Sequence, residues 1–265
     1  MVRIATQAMG TRFELVLLGD NRSDLRAAGE AAVERIEEAH RAFTRFDQGS
    51  LLAHLRRTAP HLTQVDPDQF ALFAEALAVF RLSGGGFDPS LGRCALAPIL
   101  MLDPTTRRVG LADPSTDLDF GAMAKGHAVD LAVTTIKEAG VTTAFVHGGT
   151  SSGFGFGAPA GQQGWRVRLG PRLDDPTLVL QDQGFSVAGV WSMRGGRRTA
   201  HTINPATRRA LRADRRIAVM GPSARLADAW STAVLVTGCR PISLGSDWRV
   251  WSCGRRQRWT EMEWA

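Results

Sequence analysis

The order of the elements along the chain predicts an α+β fold with mixed, mainly antiparallel sheets flanked by helices. Two segments near the N-terminus alternate apolar and polar residues, and amphipathic helices fill most of the chain up to about residue 139. From residue 141 onward, short alternating segments separated by glycines replace the helices. Because strands and helices are segregated instead of alternating, an α+β architecture fits better than a doubly wound parallel sheet.

The first strands are predicted at residues 3–5 and 12–18, joined through a turn at Met9-Gly10-Thr11. A long helix is predicted from residue 24 to about residue 43, with Ser23 as its cap, because apolar residues recur there every three or four positions. One face of this helix should therefore pack on a sheet.

The middle of the chain is predicted to be mostly helical. A turn at residues 46–50 opens a short helix, and Asp66-Pro67 begins a helix that runs to about residue 83 and stops at three glycines. Another short helical piece should run from residue 87 toward residue 101. A strand-like stretch at residues 116–120 then ends at Gly121, before a helix over residues 122–139.

The second half is predicted to be mainly antiparallel sheet, interrupted by one helix. Ser223 is the predicted cap of that helix, which spans residues 224–236 and precedes a terminal hairpin around residues 248–259. The predicted strands are residues 142–146, 153–156, 165–169, 177–180, 185–188, 198–203 and 217–220.

Composition places the chain among ordinary globular proteins. Of its 265 residues, 44% are hydrophobic and 22% are charged, and no apolar run reaches the roughly 18 residues of a membrane span. The first residues do not form a signal-peptide pattern, so a cytoplasmic location is expected. The three cysteines are widely spaced and lack a metal-binding pattern, so we expect free thiols.

A net charge of +6 and an isoelectric point near 10.4 leave nucleic-acid binding open as one function. The densest arginine runs lie at residues 208–216 and 255–258, and neither has the context of a known nucleic-acid-binding motif. A solvated basic surface is therefore the preferred interpretation, and no nucleic-acid partner is predicted.

Lys125 is one of only two lysines, whereas the chain has thirty arginines. A lysine kept amid arginines suggests a site that needs a compact ammonium, although a chance surface residue is the alternative. Lys125 follows a predicted strand and a glycine turn and lies at the start of a helix, where backbone N–H groups and an ammonium can meet an anion. A phosphate is the first candidate ligand.

Two other segments could carry chemistry. Asp228 and Thr232 are four residues apart on a predicted helix, so their oxygens lie on one face and could serve Mg²⁺, or simply hydrogen-bond to neighbours. His201 lies in a predicted strand just before an Asn-Pro turn, where it could act as a base or be a structural residue.

Taken in order, seven segments resemble the successive motifs of the ApbE family of FAD:protein FMN transferases, from Met9 to Gly238. They are MGTRF, FTRFDQGS, GGGFDPSLG, DFGAMAKGHAVD, HGGTSSG, HTINPAT and ADAWSTAVLVTG. The resemblance implies an ApbE-like, T-fold-like architecture. It implies a single flavin transferase domain over residues 1–265, with at most a subtle division into two lobes.

Such enzymes split FAD at its pyrophosphate and transfer the FMN moiety to a threonine or serine hydroxyl of an acceptor protein, releasing AMP with the help of Mg²⁺. The resemblance implies catalytic roles for His201, Lys125 and Asp228, with His201 as the base that takes the acceptor proton. It implies that Mg²⁺ is held by Ala122, Asp228 and Thr232. The implied FAD-binding residues are Met9, Phe46, Gly86, Phe87, Asp88, Asp119, Lys125, His201 and Thr202.

Several positions depart from the family pattern. Phe46 and His127 replace tyrosines, Thr150 replaces an acidic residue, and Asn204 and Arg208 replace Asp and Gly of the HxxDPxTG motif. Two alternatives to the transferase therefore stay open. One is an FAD pyrophosphatase that gives FMN and AMP, and the other is a non-catalytic FAD-binding protein.

Overall fold

The computed structural model describes residues 1–194, 197–200, 202–212, 214–241, 244–254 and 257–263. The helices in these residues are α1 (Arg22–Phe43), α2 (Leu51–Thr58), α3 (Pro67–Leu82), α4 (Leu96–Ile99), α5 (Ala124–Glu138) and α6 (Ala224–Thr237). None of them combines the length and hydropathy that crossing a bilayer requires.

The strands up to residue 189 are β1 (Val2–Ala8), β2 (Thr11–Leu18), β3 (Thr63–Gln64), β4 (Leu100–Asp103), β5 (Arg108–Leu111), β6 (Thr143–Gly148), β7 (Ser152–Phe156), β8 (Trp165–Arg168), β9 (Thr177–Leu180) and β10 (Gln183–Gly189). They are followed by β11 (Trp191–Arg194), β12 (Arg197–Ala200), β13 (Ile203–Asn204), β14 (Arg209–Ala210), β15 (Arg215–Gly221), β16 (Arg249–Gly254) and β17 (Thr260–Glu261).

An eight-stranded sheet in the order β1-β2-β6-β7-β10-β15-β16-β17 forms the centre of the molecule. Each strand in it is antiparallel to its neighbours. Helices flank the sheet, and smaller two- and three-stranded sheets surround it. The α+β, mainly antiparallel fold class predicted from the sequence is confirmed.

Helices α1, α5 and α6 cover one face of this sheet. Phe13, Leu15 and Leu17 of β2 alternate onto that face and are fully buried against Ile36 of α1 and Ala132 of α5. Fully burying a leucine-sized side chain contributes about 1.5–3 kcal/mol, so this layer fixes both helices on the sheet. The prediction that the first long helix packs one face on a sheet is confirmed.

The hairpin β8–β9 packs on the opposite face, which we call the outer face. The Trp165 ring stacks on Phe145 of β6, with ring centroids 5.6 Å apart. Leu180 of β9 is buried in the same apolar cluster as Phe185 and Trp251 of the central sheet. The central sheet therefore lies between helices on one side and a small β-hairpin on the other.

A third apolar cluster lies under α2, α3 and the three-stranded sheet β3-β5-β4. Its centre is an aromatic cluster in which Phe43, Phe73 and Phe120 have centroids 5.2–5.8 Å apart. Phe120 is fully buried, so it anchors the segment that leads into α5. This anchor fixes the position of the neighbouring residues Asp119 and Gly121.

Some local predictions were wrong. The cap of α1 is Asn21 instead of Ser23, because the Asn21 side chain accepts hydrogen bonds from both the Ser23 and Asp24 amides. Of the helical piece expected over residues 87–101, only α4 is helical, and β4 follows it. The stretch at residues 116–120 joins no sheet, because the Asp119 amide donates to the Pro89 carbonyl instead of a strand partner.

The hairpin β4–β5 was not predicted, and the strand expected over residues 198–203 is divided into β12 and β13. His201 lies between these two strands, outside the described residues.

Candidate active site

Helices α5 and α6 touch at a glycine. A Cβ on Gly126 would lie 2.2 Å from the carbonyl oxygen of Ala224, a distance that no larger residue tolerates without movement. Asp130, one turn further along α5, accepts hydrogen bonds from the Ser223 hydroxyl and from the amides of Ala224 and Arg225 at 2.7–3.0 Å. The start of α6 is thereby fixed on α5.

This contact brings Asp228 of α6 beside the first turn of α5. Its Oδ2 accepts hydrogen bonds from the Gly126 amide at 3.2 Å and from Lys125 Nζ at 3.3 Å. Its Oδ1 accepts from the hydroxyls of Ser152 and Ser186, at 3.2 and 2.8 Å. The side chain of Asp228 is buried, and four donors offset the cost of burying its charge.

Lys125 is the partly exposed member of this group. Its Nζ donates to the Gly121 carbonyl at 2.9 Å as well as to Asp228, and 22% of its side chain is accessible to solvent. The ammonium is therefore held in place at its base while keeping capacity to bind a further acceptor.

A cavity of about 400 Å³ opens beside these residues, between α5, α6 and the ends of β10 and the β6–β7 turn. We call it the lysine cavity. Most of the residues that the sequence proposed for the site line it: Gly86, Phe87, Asp88, Asp119, Ala122, Lys125, Thr202, Asp228 and Thr232. The structure thus brings together residues that are separated by up to about 150 positions in the chain.

Two other carboxylates of the cavity lining, those of Asp88 and Asp119, accept hydrogen bonds from backbone amides of their own loops. Asp88 accepts hydrogen bonds from the amides of Ser90 and Gly92, at 2.8 and 3.0 Å, which shapes the loop after the triple glycine. Asp119 accepts from the Gly121 amide at 2.8 Å and lies 3.6 Å from the Arg45 guanidinium. Both carboxylates therefore fix the wall of the cavity.

Met9 and Phe46 do not line the lysine cavity. Met9 lies in the β1–β2 turn with φ of +51°, and its amide donates to His40 Nδ1. The Phe46 side chain is 83% exposed, and the guanidinium of Arg45 lies 5.0 Å from its ring centroid. Because Arg45 also contacts Asp119, Phe46 is near the mouth of the cavity. The position of His201 lies outside the described residues.

His127, which stands where the family has a tyrosine, is not part of the cavity. It is buried against Phe43 with ring centroids 5.5 Å apart, and its Nδ1 accepts a hydrogen bond from Arg225 at 3.2 Å. Burial, and then the charges of Arg225 and Arg35, lower the pKa of His127 from 6.5 to about 3. The imidazole is therefore neutral at physiological pH.

Two carboxylates surround Arg225 in the same network. Glu75 binds the guanidinium through two hydrogen bonds of 2.7 Å, and Asp130 accepts from the Arg225 amide. Burial raises the pKa of both Glu75 and Asp130, against the lowering effect of Arg225 and of their hydrogen bonds. This network joins α3, α5 and α6 behind the cavity.

Sequence reasoning missed the serines that bind Asp228. Ser152 and Ser186 are fully buried in β7 and β10, where alternation would otherwise place apolar residues. A serine at a buried strand position was the available signal, because buried hydroxyls need a partner. Their shared partner could not be inferred, because it lies 42 and 76 residues away in the chain.

The fold and this cavity define the protein as an α+β protein with a lysine- and carboxylate-lined cavity suited to a phosphate-bearing ligand. The chain belongs to the ApbE family, whose family model matches residues 9–97 and 95–243. The match includes every wall of the lysine cavity named above.

Named relatives and solved structures agree with this family. The chain is 25% identical to the FAD:protein FMN transferase of Rhodobacter capsulatus over 86% of its own length and 50% of the relative's. It is 27% identical to that of Salmonella typhimurium over 47% of its own length and 38% of the relative's. The chain thus spans half or less of the length of these relatives. The crystal structure of an ApbE protein of Thermotoga maritima superimposes with a TM-score of 0.81 at 19% identity, covering 99% of this chain and 97% of that one.

Proposed function

We propose that the protein is a flavin transferase that moves the FMN moiety of FAD to a threonine or serine hydroxyl of an acceptor protein and releases AMP. The observation that carries this proposal is the lysine cavity, in which an ammonium lies beside a buried carboxylate and a hydroxyl. Membership of the ApbE family and the names of the two transferase relatives support the same activity.

The reaction is a phosphoryl-type transfer. The acceptor oxygen forms a bond to the phosphorus on the FMN side of the pyrophosphate. The bond from this phosphorus to the bridging oxygen breaks, AMP leaves with that oxygen, and the hydroxyl proton passes to a base. Such transfers depend mainly on positioning and on neutralising charge.

Lys125 is proposed to neutralise and position the pyrophosphate. Its Nζ is held by Gly121 and Asp228 and faces the cavity, so a phosphate oxygen can become a further acceptor without rearranging the helix. Asp228 holds the ammonium in place. His201 is proposed, from the motif alone, as the group that takes the acceptor proton.

A Mg²⁺ ion is proposed to take part in the reaction, with Asp228, Thr232 and the carbonyl of Ala122 as its ligands. All three residues line the cavity. No group of three His, Cys, Asp or Glu side chains among the described residues could hold a metal by itself. Mg²⁺ usually keeps several waters and is held by one or two carboxylates plus substrate phosphates, so a carboxylate, a hydroxyl and a carbonyl are suitable ligands for it. When bound, the ion would stabilise charge on the pyrophosphate oxygens.

The remaining proposed FAD contacts come from the cavity wall and its mouth. Gly86, Phe87, Asp88, Asp119 and Thr202 line the cavity, and a Cβ on Gly86 would lie 2.6 Å from Thr237. Met9 and the exposed ring of Phe46 lie outside it and are proposed to contact a part of FAD that extends beyond the cavity, where an aromatic ring can stack on a flavin. The whole chain is proposed to act as one domain, and a cytoplasmic location stays a prediction.

The activity is tested by incubating the protein with FAD, Mg²⁺ and candidate acceptor proteins, followed by mass spectrometry of the acceptors and measurement of AMP. A transferase adds the mass of an FMN group to the acceptor and releases one AMP for each label. Free FMN and AMP without labelled protein would identify a pyrophosphatase, and tight FAD binding without any product would identify an FAD-binding protein. Nucleic-acid binding that falls steeply with salt and resists competition by FAD would instead identify a nucleic-acid-binding protein.

A further inference from the structure

A second cleft, of about 880 Å³, lies on the outer face of the central sheet, between β6, β10 and the hairpin β8–β9. Its floor is apolar and includes Phe145, Phe185 and Val187. Three arginines, Arg166, Arg168 and Arg216, stand around it. We call it the arginine cleft.

The arginine cleft and the lysine cavity adjoin each other at one end of the sheet. Ser151 in the β6–β7 turn and Val187 and Gly189 in β10 line both spaces. The lysine cavity opens on the helix side of these strands, whereas the cleft opens on the outer side. A chain that lies in the cleft can therefore reach the lysine cavity around the end of two strands.

The cleft has an unbalanced positive charge. Arg166 and Arg168 occupy the exposed positions of β8, and their side chains have neither an ion-pair nor a hydrogen-bond partner among the described residues. Arg216 lies over the Trp259 ring at 5.0 Å and contacts the sulfur of Cys253, and no carboxylate of the described part of the chain pairs with it. The described lining contains no Asp or Glu, although Glu14 lies 3.6 Å from the lining residue His147.

Arginines without partners on an apolar floor are suited to a polypeptide with carboxylates. An acidic peptide would pair with the guanidinium groups through charge-assisted hydrogen bonds, and its apolar side chains would cover the phenylalanines. Free phosphate or a nucleotide would use the arginines but not the floor. Nucleic acid would need a longer basic track than the three arginines of this cleft offer.

We propose that the arginine cleft binds an acidic segment of the acceptor protein, next to the hydroxyl that enters the lysine cavity. This inference rests on the proposed flavin transfer, and it adds how the acceptor is selected. Charge complementarity of this kind speeds association and favours acidic over basic partners.

The test compares the double variant R166E/R168E with R22E/R26E, which makes the same charge change at two exposed positions at the start of α1, on the opposite face of the sheet from the cleft. With an acceptor that the wild type labels, R166E/R168E should raise the KM for the acceptor by about tenfold or more. Its KM for FAD should stay unchanged, and R22E/R26E should behave as the wild type. Raising the salt concentration should raise the acceptor KM of the wild type more than that of R166E/R168E.

Three results would overturn the inference. An unchanged acceptor KM in R166E/R168E would show that the cleft does not bind the acceptor. An equal increase in the KM for FAD would assign the cleft to part of FAD. An equal effect of R22E/R26E would show that only the net charge matters.

A binding experiment separates this inference from the proposed function. A fluorescent peptide carrying a threonine between aspartates should bind the wild type and lose affinity for R166E/R168E, even if no acceptor is ever labelled. Inorganic phosphate at equal concentration should not displace it, and displacement would overturn the inference in favour of a small-anion site.

Discussion

At the scale of single residues, Lys125 and Asp228 illustrate how a buried charge is prepared for use. Asp228 is almost inaccessible and would be costly to bury without its four donors, whereas Lys125 keeps contact with the cavity. The pair is therefore ordered before any ligand binds. Preorganised charge of this kind is what transfer chemistry at phosphorus needs most.

Replacing Lys125 by methionine should weaken FAD binding by about ten- to a hundredfold, because a charge-assisted hydrogen bond contributes about 1.5–3 kcal/mol. The fold should be retained, because Asp228 keeps its other three donors, Gly126, Ser152 and Ser186, and methionine fills a similar volume. Lys137→Met is the matched control, since Lys137 is the only other lysine and forms an exposed pair with Asp182. Equilibrium titration with FAD, followed by flavin fluorescence, measures both. Equal affinities for the two variants would contradict the proposed role of Lys125.

His127 should make stability fall in mild acid. Its pKa is about 3 in the folded protein and about 6.5 when unfolded, so below pH 6.5 the unfolded state binds a proton that the folded state does not. Going from about pH 7.5 to about pH 5 should lower the free energy of unfolding by about 2 kcal/mol through this residue.

Urea denaturation of the wild type and of His127→Phe at both pH values measures this effect. Glu75 and Asp130 act in the opposite direction, because their raised pKa values favour the protonated folded state, and Arg225 stays charged throughout. The difference between the two proteins therefore isolates His127. If the variant loses as much stability as the wild type between the two pH values, the histidine is not buried in its neutral form.

At the scale of elements, the site depends on one helix crossing. Gly126 allows α5 to approach the start of α6, and Asp130 caps α6 from α5. The two helices then carry Lys125 and Asp228 to a common point. Gly86 likewise allows the loop before Phe87 to approach α6, since any side chain at this position would meet Thr237 and the carbonyl of Ala233.

Gly126→Ala should destabilise the protein by about 1–3 kcal/mol, because the added methyl overlaps the Ala224 carbonyl. In an unconstrained helix the same change would stabilise by about 1 kcal/mol. A loss of stability in Gly126→Ala would therefore show that α5 and α6 approach each other closely at this residue. Thr134→Ala, at an exposed position of the same helix, is the control and should be close to neutral. Thermal and urea denaturation measure both variants. A stabilised Gly126→Ala protein would show that the helices can separate without cost.

At the scale of the whole molecule, the central sheet presents different chemistry on its two faces at one end. The helix side has the lysine cavity, and the outer side has the arginine cleft. Both spaces are lined by the end of β10 and the β6–β7 turn. A substrate and a protein partner can thus approach the same strand ends from opposite sides.

Ligand binding should stabilise the whole fold, because the lysine cavity joins α5, α6 and the sheet. FAD with Mg²⁺ at about a hundred times its Kd should raise the free energy of unfolding by about 2.7 kcal/mol. Mg²⁺ alone should have little effect, because Asp228 is the one carboxylate among its three proposed ligands and Mg²⁺ is usually held by carboxylates together with substrate phosphates. Differential scanning fluorimetry with and without EDTA measures the increase in stability that FAD and Mg²⁺ produce. Asp228→Ala should remove the part of this increase that depends on Mg²⁺. A large shift with Mg²⁺ alone would contradict a metal site completed by the substrate.

The sequence by itself determined the element types and the local geometry, because these depend on residues close in the chain. Alternation gave the strands of the central sheet, and helical spacing put Asp228 and Thr232 on one face of α6. Ordered motifs also indicated the family. The strand-like pattern at residues 116–120 gave a wrong prediction, because the Asp119 amide hydrogen-bonds to the distant Pro89 carbonyl instead of to a strand.

Only the tertiary structure decided which residues meet. Periodicity shows which face of an element is buried, but it does not show what covers that face. The donors to Asp228 come from positions 42 to 103 residues away, and packing of α5 and α6 against the sheet brings them together. The arginine cleft arises in the same way, from a hairpin folded over the outer face. Neither arrangement has a local pattern, because both depend on contacts between distant parts of the chain.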